Sequence, residues 1–109
     1  MLLTTQDNFF EYEIVETLGI VKGNTVRARH AGKDILAAFR NIVGGEIEEY
    51  TKLLAESREQ SIDRMISSAK IMGADGIVCI RFTTSSIMQS AAEMFVFGTA
   101  VKLKKKKQL

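Results

Sequence analysis

The sequence predicts an α+β domain in which a small antiparallel sheet carries a long helix on one face. A long stretch with helical spacing of apolar residues lies between two glycine clusters, Gly44-Gly45-Glu46 and Gly73-Ala74-Asp75-Gly76. Residues typical of strands precede this stretch and follow it. The chain has 109 residues, which corresponds to one domain. We place that domain at 1–103, followed by a basic tail at 104–109.

The first strands are expected after an N-terminal segment at 1–11. Residues 12–21 are rich in strand formers. Lys22-Gly23-Asn24 has the composition of a turn, because Gly and Asn tolerate positive φ. Residues 25–29 then alternate small or apolar with basic side chains, as a half-exposed strand does. This part of the chain therefore predicts a hairpin or a kinked strand pair.

Two helices are predicted next, which gives the element order β-β-α-α-β-β. The first runs from Asp34, a suitable N-cap, to Val43. The second runs from Glu46 to Met72, with acidic residues in its first turn and Gly73 as its C-cap. At about 1.5 Å per residue it is roughly 40 Å long, more than the core of a small domain requires. Serines dilute its apolar stripe midway, so we expect part of it to face solvent or another subunit.

Two strands complete the domain, at 77–82 and 93–103, joined by a loose connection at 83–90. In the first of them Val78, Ile80 and Phe82 would share one face. The last strand is apolar on both faces, since odd-numbered residues from Phe95 and even-numbered residues from Met94 are both largely apolar.

The two apolar faces of the last strand indicate an assembly. A strand that is apolar on both sides is normally covered on both sides. One helical layer covers one face, and too little chain remains to cover the other. Soluble monomers rarely leave so large an apolar patch exposed. We therefore expect a homo-oligomer. The alternative is a monomer whose first helix, Asp34–Val43, covers the second face.

The C-terminal lysines separate a basic end from an acidic body. The formal net charge is +2, but five lysines lie between 102 and 107. Ten basic and thirteen acidic residues remain without them, a net charge of −3. A basic tail can contact nucleic acid or anionic lipid, or it can be a frayed, solubilising terminus. Because the acidic body shows no basic patch with interleaved aromatics, we expect no nucleic-acid partner.

The N-terminus and the apolar runs favour a cytoplasmic protein without a membrane partner. Polar residues follow Met1-Leu2-Leu3 at once, unlike a signal peptide. The longest near-apolar run, 94–101, is far below the ~18 residues needed to span a bilayer. A single cysteine also fits a reducing compartment, where thiols stay free.

The residues that carry enzyme chemistry are scarce. His30 is the single histidine and Cys79 the single cysteine. They could form a nucleophilic pair on adjacent strands, but a cysteine within an apolar strand is usually an inert packing residue. The sequence contains no P-loop and no G-x-G-x-x-G motif. We therefore expect no enzyme activity and no cofactor.

A metal site would need ligands from several chains. Zinc and other soft metals take several Cys or His ligands at local spacing. Copies of Cys79 or His30 gathered around an oligomer axis are the weak candidates that this sequence offers.

Several motifs resemble the YbjQ family of small, uncharacterised bacterial proteins, whose members are often described as candidate heavy-metal-binding proteins. The motifs are Gly44-Gly45-Glu46-Ile47, Glu49-Tyr50-Thr51, Gly73-Ala74-Asp75-Gly76-Ile77-Val78 and Gly98-Thr99-Ala100-Val101. The resemblance covers nearly the whole chain, and the order and spacing of the motifs make it specific. The resemblance implies a dodecin-like subunit, with a helix on a small antiparallel sheet, and pentameric rings that are sometimes stacked in pairs.

The motif residues are types that form turns, caps and close packing, and none is a soft metal ligand. The interface or motif candidates are Gly44, Gly45, Glu46, Tyr50, Gly73, Asp75, Gly98 and Thr99. Glu46 and Tyr50 could line a subunit interface or a ligand niche, and we favour the interface. We thus expect a non-enzymatic, ring-forming homo-oligomer, a pentamer or paired pentamers, with a structural or interaction role. The alternative is a small-ligand or heavy-metal-binding module with sites between subunits.

Overall fold

A computed structural model describes residues 1–28, 47–88 and 91–107. These residues form a four-stranded sheet with one helix packed on it, which confirms the α+β class. The elements are β1 (Leu2–Leu3), β2 (Tyr12–Ala28), α1 (Ile47–Ile71), β3 (Gly76–Met88) and β4 (Ala91–Lys105). Their order in the described ranges is β-β-α-β-β, with one helix where two were expected. The predicted helix Asp34–Val43 lies outside the described residues. No helix in those ranges is long and apolar enough to cross a lipid bilayer.

The sheet is mixed, so the prediction of a purely antiparallel sheet was wrong. Its strand order is β1-β3-β4-β2, and β1 runs parallel to β3. The other two pairs are antiparallel. The parallel pair forms because the N-terminal segment lies along β3. The amide of Leu2 donates to the Asp75 carbonyl at 3.1 Å, and that of Thr4 donates to the Ile77 carbonyl at 3.1 Å. Two residues are too few to show a strand period in the sequence.

β2 continues for 17 residues through the position where a turn was predicted. Gly23 serves close packing there, and it forms no turn. A Cβ atom at Gly23 would overlap the Ser61 carbonyl oxygen and lie 2.6 Å from the Met65 amide nitrogen. The lack of a side chain therefore lets α1 lie directly on β2. Lys22-Gly23-Asn24 is compatible with a turn and with a close helix–strand contact, so its composition could not distinguish the two.

Ser57 and Ser61 of α1 face the sheet, which corrects the expectation that the serines midway along the helix mark a solvent-facing part. Ser57, Ser61 and Thr25 are fully or almost fully buried. The Thr25 hydroxyl donates to the Ser57 carbonyl at 3.1 Å, and its oxygen lies 3.1 Å from that of Ser61. The Ser61 hydroxyl donates to the Ser57 carbonyl at 2.9 Å. Satisfied hydroxyls can be buried at little cost, because they keep their hydrogen bonds.

The hydrophobic core lies between α1 and the sheet, as the apolar stripe indicated. Its members come from the helix and from three strands: Val21, Met65, Ala69, Ile77, Ile80, Val96 and Ala100. In β4 the even-numbered residues from Met94 to Ala100 are buried on this side, whereas most odd-numbered ones are half-buried on the other.

β3 extends to Met88, beyond the predicted end at Phe82, so most of the expected loose connection belongs to a long hairpin. The predicted face of Val78, Ile80 and Phe82 was right for Ile80 and Phe82, which line one cleft, and wrong for Val78. The pairing register shifts between Val78 and Arg81, with Cys79 at a φ of 57°. This bulge changes the alternation by one residue, so that Ile77 and Ile80 both enter the core.

The lysine-rich end begins inside the sheet. β4 includes Lys104 and Lys105, so the predicted tail 104–109 is in part a strand. Glu13 is the cross-strand partner of Lys104, and Glu16 that of Lys102. Opposite charges facing each other across strands stabilise a sheet modestly. The lysines at this end of β4 therefore lie opposite acidic residues of β2.

We predict that Gly23→Ala destabilises the fold by about 2–3 kcal/mol, because the new methyl group forces α1 away from β2. The free energy of unfolding in denaturant measures this effect. Lys22→Ala is the control: this neighbour is exposed, and its substitution should change stability by less than about 0.5 kcal/mol. Equal stabilities for the two variants would contradict the close contact at Gly23.

Candidate subunit interface

The sheet face opposite α1 carries apolar side chains in contact with solvent. Val21, Gly23 and Thr25 are the buried positions of β2, so Ile20 and Val26 point away from the helix. Ile20 is 78% exposed and Val26 is 53% exposed. Phe95 and Phe97 of β4 lie on the same face, half-buried, with ring centroids 5.6 Å apart. We call this surface the open face.

The two lateral edges of the sheet differ. β2, with 17 residues, forms one edge, and β1 with β3 forms the other. β1 pairs with β3 at Gly76 and Ile77, and the segment after it donates and accepts bonds as far as Ile80. An edge strand has backbone N–H and C=O groups that another chain can pair with, and proteins normally protect such edges.

An apolar cleft lies at the second edge, between α1, β3 and the N-terminal segment. It forms because α1 packs on β2 and β4 and leaves the neighbouring part of β3 uncovered. Its volume is about 260 Å³, and its lining residues are Leu3, Thr4, Thr5, Ile62, Met65, Ile80 and Phe82. Phe82 remains 44% exposed at its mouth. The guanidinium of Arg81 borders it by donating to the Thr5 carbonyl at 2.8 Å.

Two of the predicted motif residues, Gly73 and Asp75, stabilise the connection between α1 and β3. Gly73, with a φ of 80°, ends the helix: its amide donates to the Lys70 carbonyl, and that of Ala74 donates to the Ala69 carbonyl, each at 3.0 Å. This is the Schellman pattern that glycine favours. Asp75 then joins β3 to β4, since its carboxylate accepts a bond from the Leu103 amide at 2.9 Å.

The motif in β4 also serves packing. A Cβ atom at Gly98 would lie 2.6 Å from the Ile77 side chain and 3.0 Å from the Val78 carbonyl oxygen. Thr99 is half-buried and lies opposite Ile20 on the open face. Of the predicted interface residues whose side chains the structure describes, Thr99 is therefore the one placed on the open face.

Other predicted site residues lie outside the described part of the chain. They are His30, Gly44, Gly45 and Glu46. Tyr50 lies in the first turn of α1, but its side chain is not among those described. A pairing of His30 with Cys79 therefore stays a prediction.

Cys79 occupies the bulge of β3. The sequence has no glycine or asparagine at this position that would predict a positive φ. It is half-buried, and its amide donates to the Gln6 carbonyl at 2.9 Å. A φ of 57° is costly for a residue with a side chain. Within the described ranges, no group of three or more His, Cys, Asp or Glu side chains could hold a metal ion. Cys79 would thus need ligands from elsewhere to form a metal site.

We predict that Cys79→Gly is more stable than Cys79→Ala by about 1 kcal/mol, because alanine pays for the left-handed backbone and glycine does not. Chemical denaturation of the two variants measures the difference. Thr99, half-buried in regular β4, is the matched control: there the glycine variant should be the less stable by about 0.5–1 kcal/mol. The same order at both positions would contradict the strained bulge.

Sequence reasoning found neither the cleft nor the exposure of Phe10. Phe10 is 94% exposed in the turn before β2. The available signal was a pair of phenylalanines, Phe9-Phe10, in an otherwise polar segment. The cleft has no sequence signal, because its lining comes from three separate segments.

Comparison with known proteins places this chain in a family. Residues 1–104 match a family described as "putative heavy-metal-binding". A UPF0145 protein of Pseudothermotoga lettingae is 58% identical over 105 residues, covering 96% of this chain and 99% of the relative. A UPF0145 protein of Thermosipho africanus is 54% identical over 105 residues, covering 96% and 97%.

A solved structure shares the fold. It is a crystal structure from Pediococcus pentosaceus of a protein with unknown function in the DUF74 family. It superposes with a TM-score of 0.68 at 14% sequence identity and covers 95% of this chain and 98% of that one. The family match and the close relatives agree with the motifs around α1. The chain therefore belongs to the YbjQ family, whose curated members include the UPF0145 proteins.

Proposed function

We propose that this protein is a non-enzymatic homo-oligomer that forms a ring and has a structural or interaction role. The open face is the observation that carries the proposal. Ile20, Val26, Phe95 and Phe97 are apolar side chains of this face that α1 does not cover, and the polar Lys22 and Asn24 lie between them. Burial of such a surface stabilises an assembly by roughly 25 cal/mol per Å² of apolar area. A second copy of the chain supplies a surface of the same chemistry.

The unlike edges of the sheet favour a ring over a simple dimer. If β2 of one copy contacts the β1–β3 edge of the next, every copy in the assembly uses both of its edges. Such head-to-tail contacts either close into rings or extend as filaments. The resemblance to ring-forming relatives implies five subunits, in one ring or in two stacked rings.

The shape of the subunit also supports an assembly. Its radius of gyration is 17.9 Å, compared with about 13 Å for a compact domain of this length. Its dimensions are 60 × 25 × 16 Å. A flat, long subunit buries little of its own surface, and packing side by side with copies of itself supplies the missing burial.

The chemistry of the cleft supports a role without catalysis. Its lining offers two threonine hydroxyls, of Thr4 and Thr5, among apolar side chains, and no acid, base or thiol. General acid–base and nucleophilic catalysis need such groups close together. An apolar recess of this kind binds an apolar group.

A heavy-metal-binding module is the second candidate, and the description of the family favours it. Cys79 is the thiol that such a module would use, since it is half-buried and unpaired. Its site would combine Cys79 with ligands from neighbouring subunits, as soft metals require several donors.

We predict that Ile20→Glu dissociates the assembly, because assembly would take the new carboxylate out of water. Native mass spectrometry gives the subunit number, and circular dichroism should show an unchanged fold, since Ile20 is exposed in the subunit. Ser67→Glu adds the same charge at an exposed position of α1 and should leave the assembly intact. A wild-type chain that is monomeric at micromolar concentration would refute the proposed ring.

The two candidate functions differ in the metal content that they predict. After loading with zinc, copper or cadmium and gel filtration, a structural ring should retain well below one metal ion per chain. Elemental analysis by mass spectrometry measures this ratio. One or more ions per wild-type chain, lost in Cys79→Ser while the ring stays intact, would instead establish the metal-binding module.

A further inference from the structure

Phe10 is an aromatic side chain that the subunit holds almost entirely in solvent. It is 94% exposed. We propose that Phe10 of one copy inserts into the apolar cleft of the next copy, so that this contact joins adjacent subunits. The inference rests on the proposed ring and names the residues that form its contact.

The turn that carries Phe10 is ordered by its own contacts. The Phe9 amide donates to the Asn8 side chain at 2.8 Å, and the Tyr12 amide donates to the Phe9 carbonyl at 3.1 Å. The Phe9 ring packs edge-on against Tyr12, with centroids 6.3 Å apart. Phe9 is thus turned inward and Phe10 outward. Because the backbone of this turn is already fixed, Phe10 loses little backbone entropy on binding, which suits an interface anchor.

The cleft has the size and chemistry for a phenyl ring. Cavities of about 150 Å³ with apolar linings accept benzene, and this cleft has about 260 Å³. Ile62 and Ile80 lie in its walls, and the exposed ring of Phe82 lies at its mouth. An aromatic guest would contact Phe82 in the offset or edge-on geometry that aromatic pairs prefer.

The positions of the two partners indicate a contact between copies. Phe10 lies in the turn before β2, at the end of the sheet where Phe9 lies against Gly76 and the Glu11 carbonyl accepts a bond from the Lys106 amide, whereas the cleft lies farther along β3, at Ile80 and Phe82. The exposure of Phe10 shows that it does not fill the cleft of its own chain. Two different surfaces of a subunit that bind each other join copies head to tail, which is the arrangement of a ring.

The edge is large enough for a stable contact. A strand of 17 residues is roughly 56 Å long, and with a subunit thickness of 16 Å the lateral surface measures at most about 900 Å². Stable interfaces bury about 800 Å² per partner. Aromatic anchors near well-packed pockets contribute most of the binding energy in such interfaces. Phe10 has the features of such an anchor.

The charges beside the contact are compatible with it. Asp7 and Glu11 flank Phe10 in the turn, and the guanidinium of Arg81 borders the cleft. Lys106 also lies beside the turn, because its amide donates to the Glu11 carbonyl at 2.9 Å. The turn therefore presents both signs of charge, and the apolar insertion of Phe10 carries the contact.

The first test is dilution of Phe10→Ala, followed by native mass spectrometry. We expect the subunit concentration at which the ring dissociates to rise by about 30-fold or more, as for an interface anchor. Phe10→Leu should restore most of the affinity. Ile71→Ala is the matched control, since Ile71 is 88% exposed and lies outside the proposed contact. An intact ring with unchanged affinity in Phe10→Ala overturns the inference and leaves the proposed ring standing.

The second test is a cross-link that works without loss of the ring. Phe10→Cys and Phe82→Cys are made in separate chains, both with Cys79→Ser, and one chain is labelled with heavy isotopes. After mixing and mild oxidation, a disulfide between Cys at position 10 of one chain and position 82 of the other is expected by peptide mass spectrometry. A ring that forms from both chains without this disulfide overturns the inference. A wild-type chain that is monomeric refutes the proposed ring itself, whereas a monomeric mixture beside a wild-type ring shows that Phe10 and Phe82 are needed for assembly and supports the inference.

Discussion

The contact between α1 and β2 at Gly23 determines where every other part of the subunit lies. Because Gly23 has no side chain, the helix backbone rests on the strand, with Ser61 and Met65 next to it. The Thr25 hydroxyl and the α1 serines fill this narrow space with bonded polar groups. Bulky side chains would hold the helix at the usual distance and in another position.

The position of the helix has two consequences for function. With α1 over β2 and β4, part of β3 is uncovered and becomes the wall of the cleft. The opposite side of the sheet also stays without a helix from the described residues, and its apolar residues form the open face. Both surfaces remain exposed in the subunit for the same reason: one helix is narrower than a four-stranded sheet. The proposed contact between subunits buries the cleft.

Patterns within a few residues of the sequence predicted the elements that interactions between near neighbours stabilise. The helix was expected from Glu46 to Met72 and extends from Ile47 to Ile71, because the apolar stripe and the Gly73 cap both act within a few residues. The alternation of the two faces of β4 was also predicted, because neighbouring side chains in a strand point to opposite faces. β1 and the bulge at Cys79 could not be predicted, because pairing with distant residues produces both. The cleft and the exposure of Phe10 depend on that same pairing.

The sequence by itself determined the α+β class, the helix between its glycine clusters, the two apolar faces of the last strand and the membership of the YbjQ family. These features follow from periodicity and from glycines whose backbone conformation acts locally. The tertiary structure alone decided that Gly23 is a helix contact and no turn, that Ser57 and Ser61 are buried, and that Ile77 and Ile80 share a face. Each of these depends on which segments become neighbours in space, and hydrogen bonds and close packing between distant segments leave no period in the chain.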